Sequence, residues 1–280
     1  MTKVTTSSLG ELKRKGERIV ALTAYDAPTA RLLDEAGVDV ALVGDSVANV
    51  KLGYANTIPV TVDEMLHHVK AVRRGLERAL LVADMPYLSY ELDAREALRH
   101  AGRLVKEGGA EAVKVEGGLE VAPVVKELLR INVPVMGHLG LTPQAVNKLG
   151  GFKVQGRRPQ DAEKIVTDAR ILEGAGVFAI VLECVPEDLA REVTRKLSVP
   201  TIGIGAGAGC DGQILVVDDL LGMGQGPTPK FVKRYADLRP QMLDAIKRWS
   251  GDVRTAAFPG PEQTYGTKPP AAREPRERRP

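Results

Sequence analysis

Short apolar runs of β type alternate with segments of helical period from residue 17 onward. This alternation is typical of βαβ units that build a parallel sheet. The pattern predicts eight strands, which are Ile19–Tyr25, Val38–Gly44, Ala79–Ala83, Ala112–Val115, Val133–Gly137, Phe178–Leu182, Pro200–Ile204 and Gln213–Val217. Eight strands with intervening helices indicate an α/β protein with a closed (β/α)₈ TIM barrel, although an open doubly wound sheet would produce much the same local pattern.

The segment ahead of the first strand predicts a short helix. Ser8 and Glu11 have the spacing of a capping box, and Leu9 and Leu12 fall on one helical face. Such a helix would cover the floor of the barrel. A frayed amphipathic leader remains the alternative.

The length of 280 residues fits one barrel, whose typical size is about 250 residues. We therefore predict a single catalytic domain over residues 1–250. Residues 251–280 contain six prolines and little apolar periodicity, which predicts a disordered tail.

Charge and composition argue against several classes of protein. Residues 251–280 carry six basic and four acidic residues, so they account for +2 of the formal net charge of +3. The rest of the chain is therefore nearly neutral and lacks the basic face of a nucleic-acid-binding protein. No apolar run is long enough to span a membrane, and none at the N-terminus has signal-peptide length. Cys184 and Cys210 are the only cysteines, which favours a reducing, cytoplasmic location.

Five of the apolar runs end in an ionisable residue. These residues are Asp45, Asp84, Glu116, His138 and Glu183. The carboxyl ends of barrel strands meet at one mouth, so we expect these side chains to surround a common space. Hard divalent cations such as Mg²⁺ bind carboxylate oxygens, so these acidic side chains would bind such a cation at the barrel mouth.

Lys114 and Glu116 lie two residues apart, so a strand directs both to one face, and Val113 and Val115 to the other. If that face is the barrel interior, the buried ammonium needs a partner, either Glu116 or a bound anion. A lysine that merely neutralises acids in a core layer is the structural alternative.

Simpler roles are open for the other candidates. Asp45, followed by Ser46, fits a helix or loop cap, and His138 fits a residue that satisfies a loop carbonyl. The adjacent histidines at 67–68 fit surface or packing positions. Cys184 should face away from the side that Glu183 occupies, and we predict a core thiol there.

The glycine-rich stretch 203–209 could bind an anion through its backbone N–H groups. Gly207, Gly209 and Gly212 formally match GxGxxG. They lie late in the chain, and the acidic residue expected about 20 positions on is not evident. A dinucleotide fold is therefore disfavoured.

Longer motifs surround the candidate residues. They are Val43-Gly44-Asp45-Ser46, Leu52-Gly53-Tyr54, Val82-Ala83-Asp84-Met85-Pro86, Val113-Lys114-Val115-Glu116-Gly117-Gly118, Pro134 to Gln144, Val154-Gln155-Gly156-Arg157, Val181 to Pro186 and Ile202 to Gly207. With these motifs, residues 21–236 resemble the ketopantoate hydroxymethyltransferase family.

The resemblance implies a (β/α)₈ barrel of the phosphoenolpyruvate/pyruvate type that assembles as a homodecamer, a dimer of pentamers. It implies one Mg²⁺ per subunit, held by Asp45, Asp84 and Glu116, with Glu116 acting directly or through water. It further implies Glu183 as the catalytic base. The residues that would contact the 2-oxo acid are Asp45, Ser46, Asp84, Lys114 and His138.

The reaction implied by the resemblance transfers a hydroxymethyl group from 5,10-methylenetetrahydrofolate to 3-methyl-2-oxobutanoate through a Mg-stabilised enolate. It yields 2-dehydropantoate (ketopantoate) in the first step of pantothenate biosynthesis. Folate is a co-substrate, and the sequence does not locate its pocket.

The chain departs from the family pattern in loops. Ala48-Asn49 replaces Gly-Met, Ala55-Asn56 replaces Asp-Ser, and Leu88 occupies a position that is commonly Gly. These changes put loop geometry and folate contacts in doubt, but not the metal chemistry. The chain after about Trp249 lies outside the resemblance.

Two rival functions deserve comparison. A lyase or mutase of the same barrel superfamily would need a catalytic cysteine in a mobile glycine-rich loop, whereas Cys184 ends a strand and Cys210 fits the hydroxymethyltransferase pattern Gly-Cys-Asp-Gly. A catalytically inactive barrel kept for assembly would have lost ligand carboxylates, and none is missing.

Overall fold

The computed structural model describes residues 2–226 and 228–266. The described residues divide into two compact units, with the boundary after Tyr235. Most of the predicted tail, from residue 267 on, lies outside the described residues.

The first unit is built on a closed barrel of eight parallel strands. The strands are β1 Ile19–Thr23, β2 Val40–Val43, β3 Leu80–Asp84, β4 Ala112–Glu116, β5 Val135–Gly140, β6 Ala179–Glu183, β7 Thr201–Ile204 and β8 Gly212–Leu215. They follow one another in chain order around the barrel, and β8 pairs with β1. The barrel prediction is therefore confirmed, and the open doubly wound alternative is wrong.

The helices of the first unit surround the barrel. They are α1 Thr6–Lys15, α2 Ala27–Glu35, α3 Val47–Val50, α4 Val62–Arg73, α5 Ala94–Lys106, α6 Ala122–Arg130, α7 Val146–Leu149, α8 Pro159–Ala175, α9 Glu187–Lys196 and α10 Val217–Leu220, with 3₁₀ turns at Leu119–Val121 and Pro143–Ala145. The second unit contains α11 Leu238–Arg254 and a 3₁₀ turn at Pro261–Gln263. Only the loop 205–211 joins β7 to β8. None of the helices in the described ranges is both long and apolar enough to cross a membrane.

The boundary of the folded body differs from the prediction at residue 250. The first unit ends at residue 235, and α11 belongs to the second unit and continues across residue 251 to Arg254. The helix continues because its apolar residues keep helical spacing as far as Val253, ahead of the first proline of the tail at Pro259. None of the residues of α11 is buried.

Alternate strand residues fill the barrel interior. Leu80 and Val82 of β3 lie there with Leu9 of α1, which is fully buried at the floor, as predicted for a covering helix. The capping box of α1, however, is formed by Thr5 and Ser8, not by Ser8 and Glu11. The helix therefore begins earlier than the predicted cap, because the hydroxyl of Thr5 already accepts the N–H of Ser8.

The glycines of the β7–β8 loop have a packing role. A Cβ on Gly207 would lie 2.4 Å from Glu187, and one on Gly209 would lie 3.1 Å from Arg191, both on α9. Glycine is needed here because the loop backbone lies directly against that helix. The GxGxxG match is thus explained by close approach of the backbone.

Candidate active site

Five neighbouring strands deliver ionisable side chains to the carboxyl end of the barrel. Asp45 follows β2, Asp84 ends β3, Lys114 and Glu116 lie in β4, His138 lies in β5 and Glu183 ends β6. Strand register places Asp84 opposite Lys114 and Glu116 opposite His138. All these residues, together with Ser46, line one cavity of about 640 Å³.

Lys114 lies at the centre of the cluster. Its Nζ is 3.1 Å from Asp84 Oδ1 and 3.8 Å from Glu116 Oε1, and its side chain is only 5% exposed. Burial lowers the pKa of Lys114, but the charges of Asp84, Glu116 and Asp45 outweigh it and raise the pKa above its ordinary value. The predicted common face of Lys114 and Glu116 is confirmed, and the ammonium stays charged.

His138 links two carboxylates. Its Nδ1 is 3.2 Å from Glu116 Oε1, and its Nε2 is 3.3 Å from Glu183 Oε2. Burial and Lys114 lower the pKa of His138, but its contacts with Glu116 and Glu183 raise it to about 9. The loop-carbonyl interpretation of His138 is wrong, because β5 continues to Gly140 and directs the ring into the cavity.

The tautomer of His138 depends on its neighbours. Lys114 Nζ lies 3.1 Å from Nδ1, so a neutral ring can accept a hydrogen bond from the ammonium there and carry its own proton on Nε2. A charged ring carries a proton on each nitrogen, near Glu116 and Glu183. In both forms the N–H at Nε2 lies 3.3 Å from Glu183 Oε2, although the contact is not a well-aligned hydrogen bond.

Gln144 is a site residue that sequence reasoning missed. Its Nε2 donates to Asp45 Oδ2 at 2.9 Å and to the Met85 carbonyl at 3.0 Å, and its backbone N–H donates to Glu116 Oε2 at 3.0 Å. Tyr90 donates to Gln144 Oε1 at 2.8 Å. Gln144 ended one of the family motifs, which was the only available signal, since an uncharged amide carries no chemical signature in a sequence.

The three carboxylates of the predicted metal site share this buried space. The backbone N–H of Asp45 donates to Asp84 Oδ2 at 3.0 Å. Burial and the charges of Glu116 and Asp84 raise the pKa of Asp45 well above its ordinary value. Burial also raises the pKa of Glu116, but His138, Lys114 and Gln144 outweigh it and lower the pKa.

Ser46 is held by an aromatic neighbour instead of capping α3. Its Oγ lies 2.8 Å from the Tyr25 hydroxyl, and no side-chain capping bond is present at this helix. A Cβ on Gly44 would lie 2.7 Å from Ser46 Oγ, so glycine leaves room for that hydroxyl. The capping interpretation of the Asp45-Ser46 pair is therefore wrong, and both side chains belong to the cavity.

Cys184 also lines the cavity and is half-buried, so the prediction of a core thiol is wrong. The backbone adopts φ 47° at Cys184, which breaks the alternation of β6 on which the prediction relied. Burial and the nearby Glu183 raise the pKa of Cys184 to about 11, so the thiol stays protonated at neutral pH.

The residues present fit an open metal site. In residues 2–226 and 228–266, no three His, Cys, Asp or Glu side chains form a preformed metal cage, and Lys114 and Gln144 stand between the carboxylates. Asp84 Oδ1 and Glu116 Oε1 are nevertheless buried without a well-aligned hydrogen bond. Mg²⁺ commonly binds one or two carboxylates and completes its shell with water and substrate oxygens, which suits this arrangement.

Comparison with known proteins assigns the chain to a family. A model described as ketopantoate hydroxymethyltransferase matches residues 3–261. Relatives named 3-methyl-2-oxobutanoate hydroxymethyltransferase, from Thermoanaerobacter sp. (strain X514) and Moorella thermoacetica, are 53% and 54% identical over 263 and 264 residues. Each alignment covers 94% of this chain, and 96% and 98% of the relatives.

The chain belongs to the ketopantoate hydroxymethyltransferase family. It is an enzyme of the hydroxymethyltransferase type, a one-carbon transferase. The family match continues through residue 261, so the resemblance extends further toward the C-terminus than the sequence motifs indicated.

Solved structures place the ketopantoate hydroxymethyltransferase barrel in a wider fold group. Phosphonopyruvate hydrolase, in a complex with oxalate and Mg²⁺, aligns with a TM-score of 0.60 at 13% identity, covering 94% of this chain and 93% of that chain. The 2,3-dimethylmalate lyase, a member of the PEP mutase/isocitrate lyase superfamily, aligns with a TM-score of 0.57 at 15% identity over 94% and 93% of the two chains. These likenesses confirm the (β/α)₈ barrel fold.

Proposed function

We propose that this protein transfers a hydroxymethyl group from 5,10-methylenetetrahydrofolate to 3-methyl-2-oxobutanoate, with Mg²⁺ bound, and yields 2-dehydropantoate for pantothenate biosynthesis. The observation that carries the proposal is the buried cluster of Lys114, His138 and four carboxylates in one cavity. Family membership supports the choice of acceptor, since the relatives carry the name of that substrate.

In this proposal the acid binds against the polar side chains of the cavity. Lys114 provides a fixed positive charge for the carboxylate of the 2-oxo acid, and Ser46 offers a hydroxyl beside it. Asp45, Asp84 and, directly or through water, Glu116 would hold Mg²⁺, which when bound supplies Lewis-acid polarisation of the keto group.

Glu183 removes the proton from C3 of the acid. Its carboxylate lies at the cavity wall, 16% exposed, with Oε2 3.3 Å from His138 Nε2. That contact orients one oxygen and leaves the other available to the substrate. The electron pair at C3 forms the new carbon–carbon bond to the methylene carbon of the folate as the bond from that carbon to one folate nitrogen breaks, and that nitrogen takes up the proton from Glu183. Water then displaces the second folate nitrogen from the same carbon. Its hydroxyl completes the hydroxymethyl group and its remaining proton goes to the nitrogen, which releases tetrahydrofolate.

The deciding experiment incubates the purified protein with 3-methyl-2-oxobutanoate in D₂O, with and without Mg²⁺, in the absence of folate. We expect Mg²⁺-dependent exchange of the C3 hydrogen by NMR, and formation of 2-dehydropantoate once methylenetetrahydrofolate is added. A protein that exchanges nothing and forms no 2-dehydropantoate would refute the proposal. Cleavage of a related 2-oxo acid instead would favour the lyase alternative.

Assembly and location are also proposed. We expect a homodecamer, a dimer of pentamers, on the strength of family membership, and sedimentation analysis of the full chain would test it. A cytoplasmic location is supported by Cys184 and Cys210, both of which are free thiols.

A further inference from the structure

The candidate cavity is larger than its acid substrate. A volume of about 640 Å³ falls within the range of roughly 300–1,000 Å³ that holds drug-sized ligands, whereas 3-methyl-2-oxobutanoate has only five carbons. The polar side chains of the cluster occupy one part of the lining. Phenylalanine and lysine side chains from two loops form another part, which we name the rim: Phe152, Lys153, Lys230 and Phe231.

The rim carries two exposed aromatic rings. Phe152 is 62% exposed and Phe231 is 36% exposed, although aromatic side chains normally bury most of their surface. Exposed apolar groups inside a cavity indicate a ligand that covers them. A five-carbon acid bound at Lys114 has too little surface to cover both.

Both rings are attached to the end of β6, where Glu183 lies. Phe231 packs over Gly205, because a Cβ on that glycine would lie 2.9 Å from the ring and 3.2 Å from Cys184 Sγ. The loop that carries Phe152 is tied to the same point, since the backbone N–H of Gln155 donates to the Cys184 carbonyl at 2.9 Å. A flat ligand on these rings would therefore lie beside the proposed base.

The rim also carries positive charge on both loops. Lys153 follows Phe152, and Lys230 precedes Phe231, and both lysines are exposed. Because Lys114 is assigned to the carboxylate of the 2-oxo acid, the rim lysines are the lysines of the cavity lining that remain for a second anion. An aromatic ring system with an acidic tail matches this pairing of phenyl and ammonium groups.

We propose that the rim is the folate subsite, in which the pteridine ring stacks on Phe231 and Phe152 and the glutamate carboxylates bind Lys153 and Lys230. This inference rests on the proposed function, because it takes methylenetetrahydrofolate as the one-carbon donor. It places the methylene carbon over the C3 atom that Glu183 deprotonates, with both substrates in one cavity.

A second cavity offers the alternative location. It has a volume of about 320 Å³, is lined by Tyr87, Glu91 and Lys148, and reaches the far side of Glu116 and Gln144. It also combines an aromatic ring, a carboxylate and a lysine, so it provides matched control variants. Its Tyr87 is 39% exposed, close to the value for Phe231.

The test measures equilibrium binding of tetrahydrofolate and of 6-methyltetrahydropterin, which lacks the glutamate tail, under anaerobic conditions by calorimetry on the full chain. Phe231→Ala and Phe152→Ala should each raise the Kd for both ligands about tenfold, as expected for loss of one stacking partner. Lys153→Ala/Lys230→Ala should raise the Kd for tetrahydrofolate about tenfold and leave that for the pterin within about twofold.

Controls separate a folate effect from general damage. The Kd for 3-methyl-2-oxobutanoate should change less than about twofold in all rim variants, and Tyr87→Ala should bind tetrahydrofolate like the wild type. Two results would overturn the rim assignment: wild-type Kd values for tetrahydrofolate in the phenylalanine variants, or a tenfold rise of that Kd in Tyr87→Ala. In either case the proposed function stands if the wild-type protein forms 2-dehydropantoate. A wild-type protein that forms no 2-dehydropantoate would instead overturn the proposed function itself.

Discussion

The two ends of the barrel both carry buried or half-buried charges, but they arrange them differently. At the floor two half-buried cations pair with acids: Lys13 Nζ is 2.9 Å from Asp211 Oδ2, and Arg78 Nη2 is 2.8 Å from Asp39 Oδ1. Backbone groups complete these pairs, as the carbonyls of Thr194 and Val199 do for Lys13. None of these floor side chains has a buried polar atom without a hydrogen-bond partner.

At the mouth, acids outnumber the cations that neutralise them. Asp45, Asp84, Glu116 and Glu183 surround Lys114 and His138, and buried oxygens of Asp84 and Glu116 form no well-aligned hydrogen bond. Unsatisfied buried charge is costly to a folded protein. Matched pairs therefore stabilise the floor, whereas the mouth retains binding capacity for a cation and a substrate.

The largest expected effect separates the two ends by catalysis. Glu183→Gln should lower the rate of C3 exchange about 10²–10⁴-fold, because it removes the proposed base while preserving shape. NMR in D₂O with Mg²⁺ would measure this rate. Glu111→Gln at the floor, whose carboxylate pairs with Lys3, should keep the wild-type rate. Equal losses in both variants would mean that Glu183 has no special role.

Metal affinity provides the next contrast. Asp84→Asn should raise the Kd for Mg²⁺ at least about tenfold, because it replaces a charged ligand oxygen with a neutral amide. A tenfold change in Kd corresponds to about 1.4 kcal/mol. Titration calorimetry measures the affinity directly. Asp39→Asn removes a comparably buried floor acid and should leave Mg²⁺ binding unchanged. Unaltered affinity in Asp84→Asn would remove Asp84 from the metal site.

Gln144 should matter for both stability and metal binding, as a positioning residue. Gln144→Leu leaves buried Asp45 Oδ2 without its amide donor, which should lower the free energy of unfolding by about 1–3 kcal/mol. It should also weaken Mg²⁺ binding, because Asp45 loses its orientation. Urea unfolding and calorimetry would measure the two effects. The exposed Gln213→Leu serves as the control, and a loss of stability with unchanged Mg²⁺ affinity would contradict the positioning role.

Backbone strain at the mouth gives a smaller effect. Leu88 has φ 60°, in the left-handed region that costs a side-chain-bearing residue roughly 1–2 kcal/mol. Leu88→Gly should therefore raise the free energy of unfolding by about 1 kcal/mol. Leu92→Gly, in the same loop without a positive φ, should lower it. If thermal or urea unfolding shows no gain for Leu88→Gly, the strain is compensated by contacts of the side chain.

The smallest effect depends on pH and belongs to the floor. Burial raises the pKa of Asp34, but backbone N–H groups of Ala79, Arg78 and Glu77 outweigh it and lower the pKa. Because the pKa of Asp34 is lower in the folded state, its ionised carboxylate stabilises the fold at pH values above the ordinary pKa of 3.8. This contribution to the free energy of unfolding is lost as the pH falls through the lowered pKa.

Asp34→Asn should therefore cost less than about 1 kcal/mol at neutral pH, after allowance for solvent screening. The difference from wild type in urea unfolding should shrink as the pH falls below 3.8. A difference that grows on acidification would contradict the assignment.

The sequence predicted the barrel and the placement of most cavity side chains because two local rules held. Strand alternation correctly placed Lys114 and Glu116 on one face, and strand ends correctly located Asp84 and Glu183. Alternation failed at Cys184, where a positive φ reverses the direction of the side chain. A sequence does not reveal such a conformation unless glycine marks it.

The amino-acid sequence by itself determined the strand count, the face that residues within the strands occupy, as for Lys114 and Glu116, and the family, since these depend on short-range periodicity and motif identity. Only the tertiary structure decided that His138 joins Glu116 to Glu183, and that Gln144 bonds Asp45 across a separation of 99 residues. Closure of the barrel brings these atoms together, and no local pattern encodes a distance between side chains so far apart in the chain.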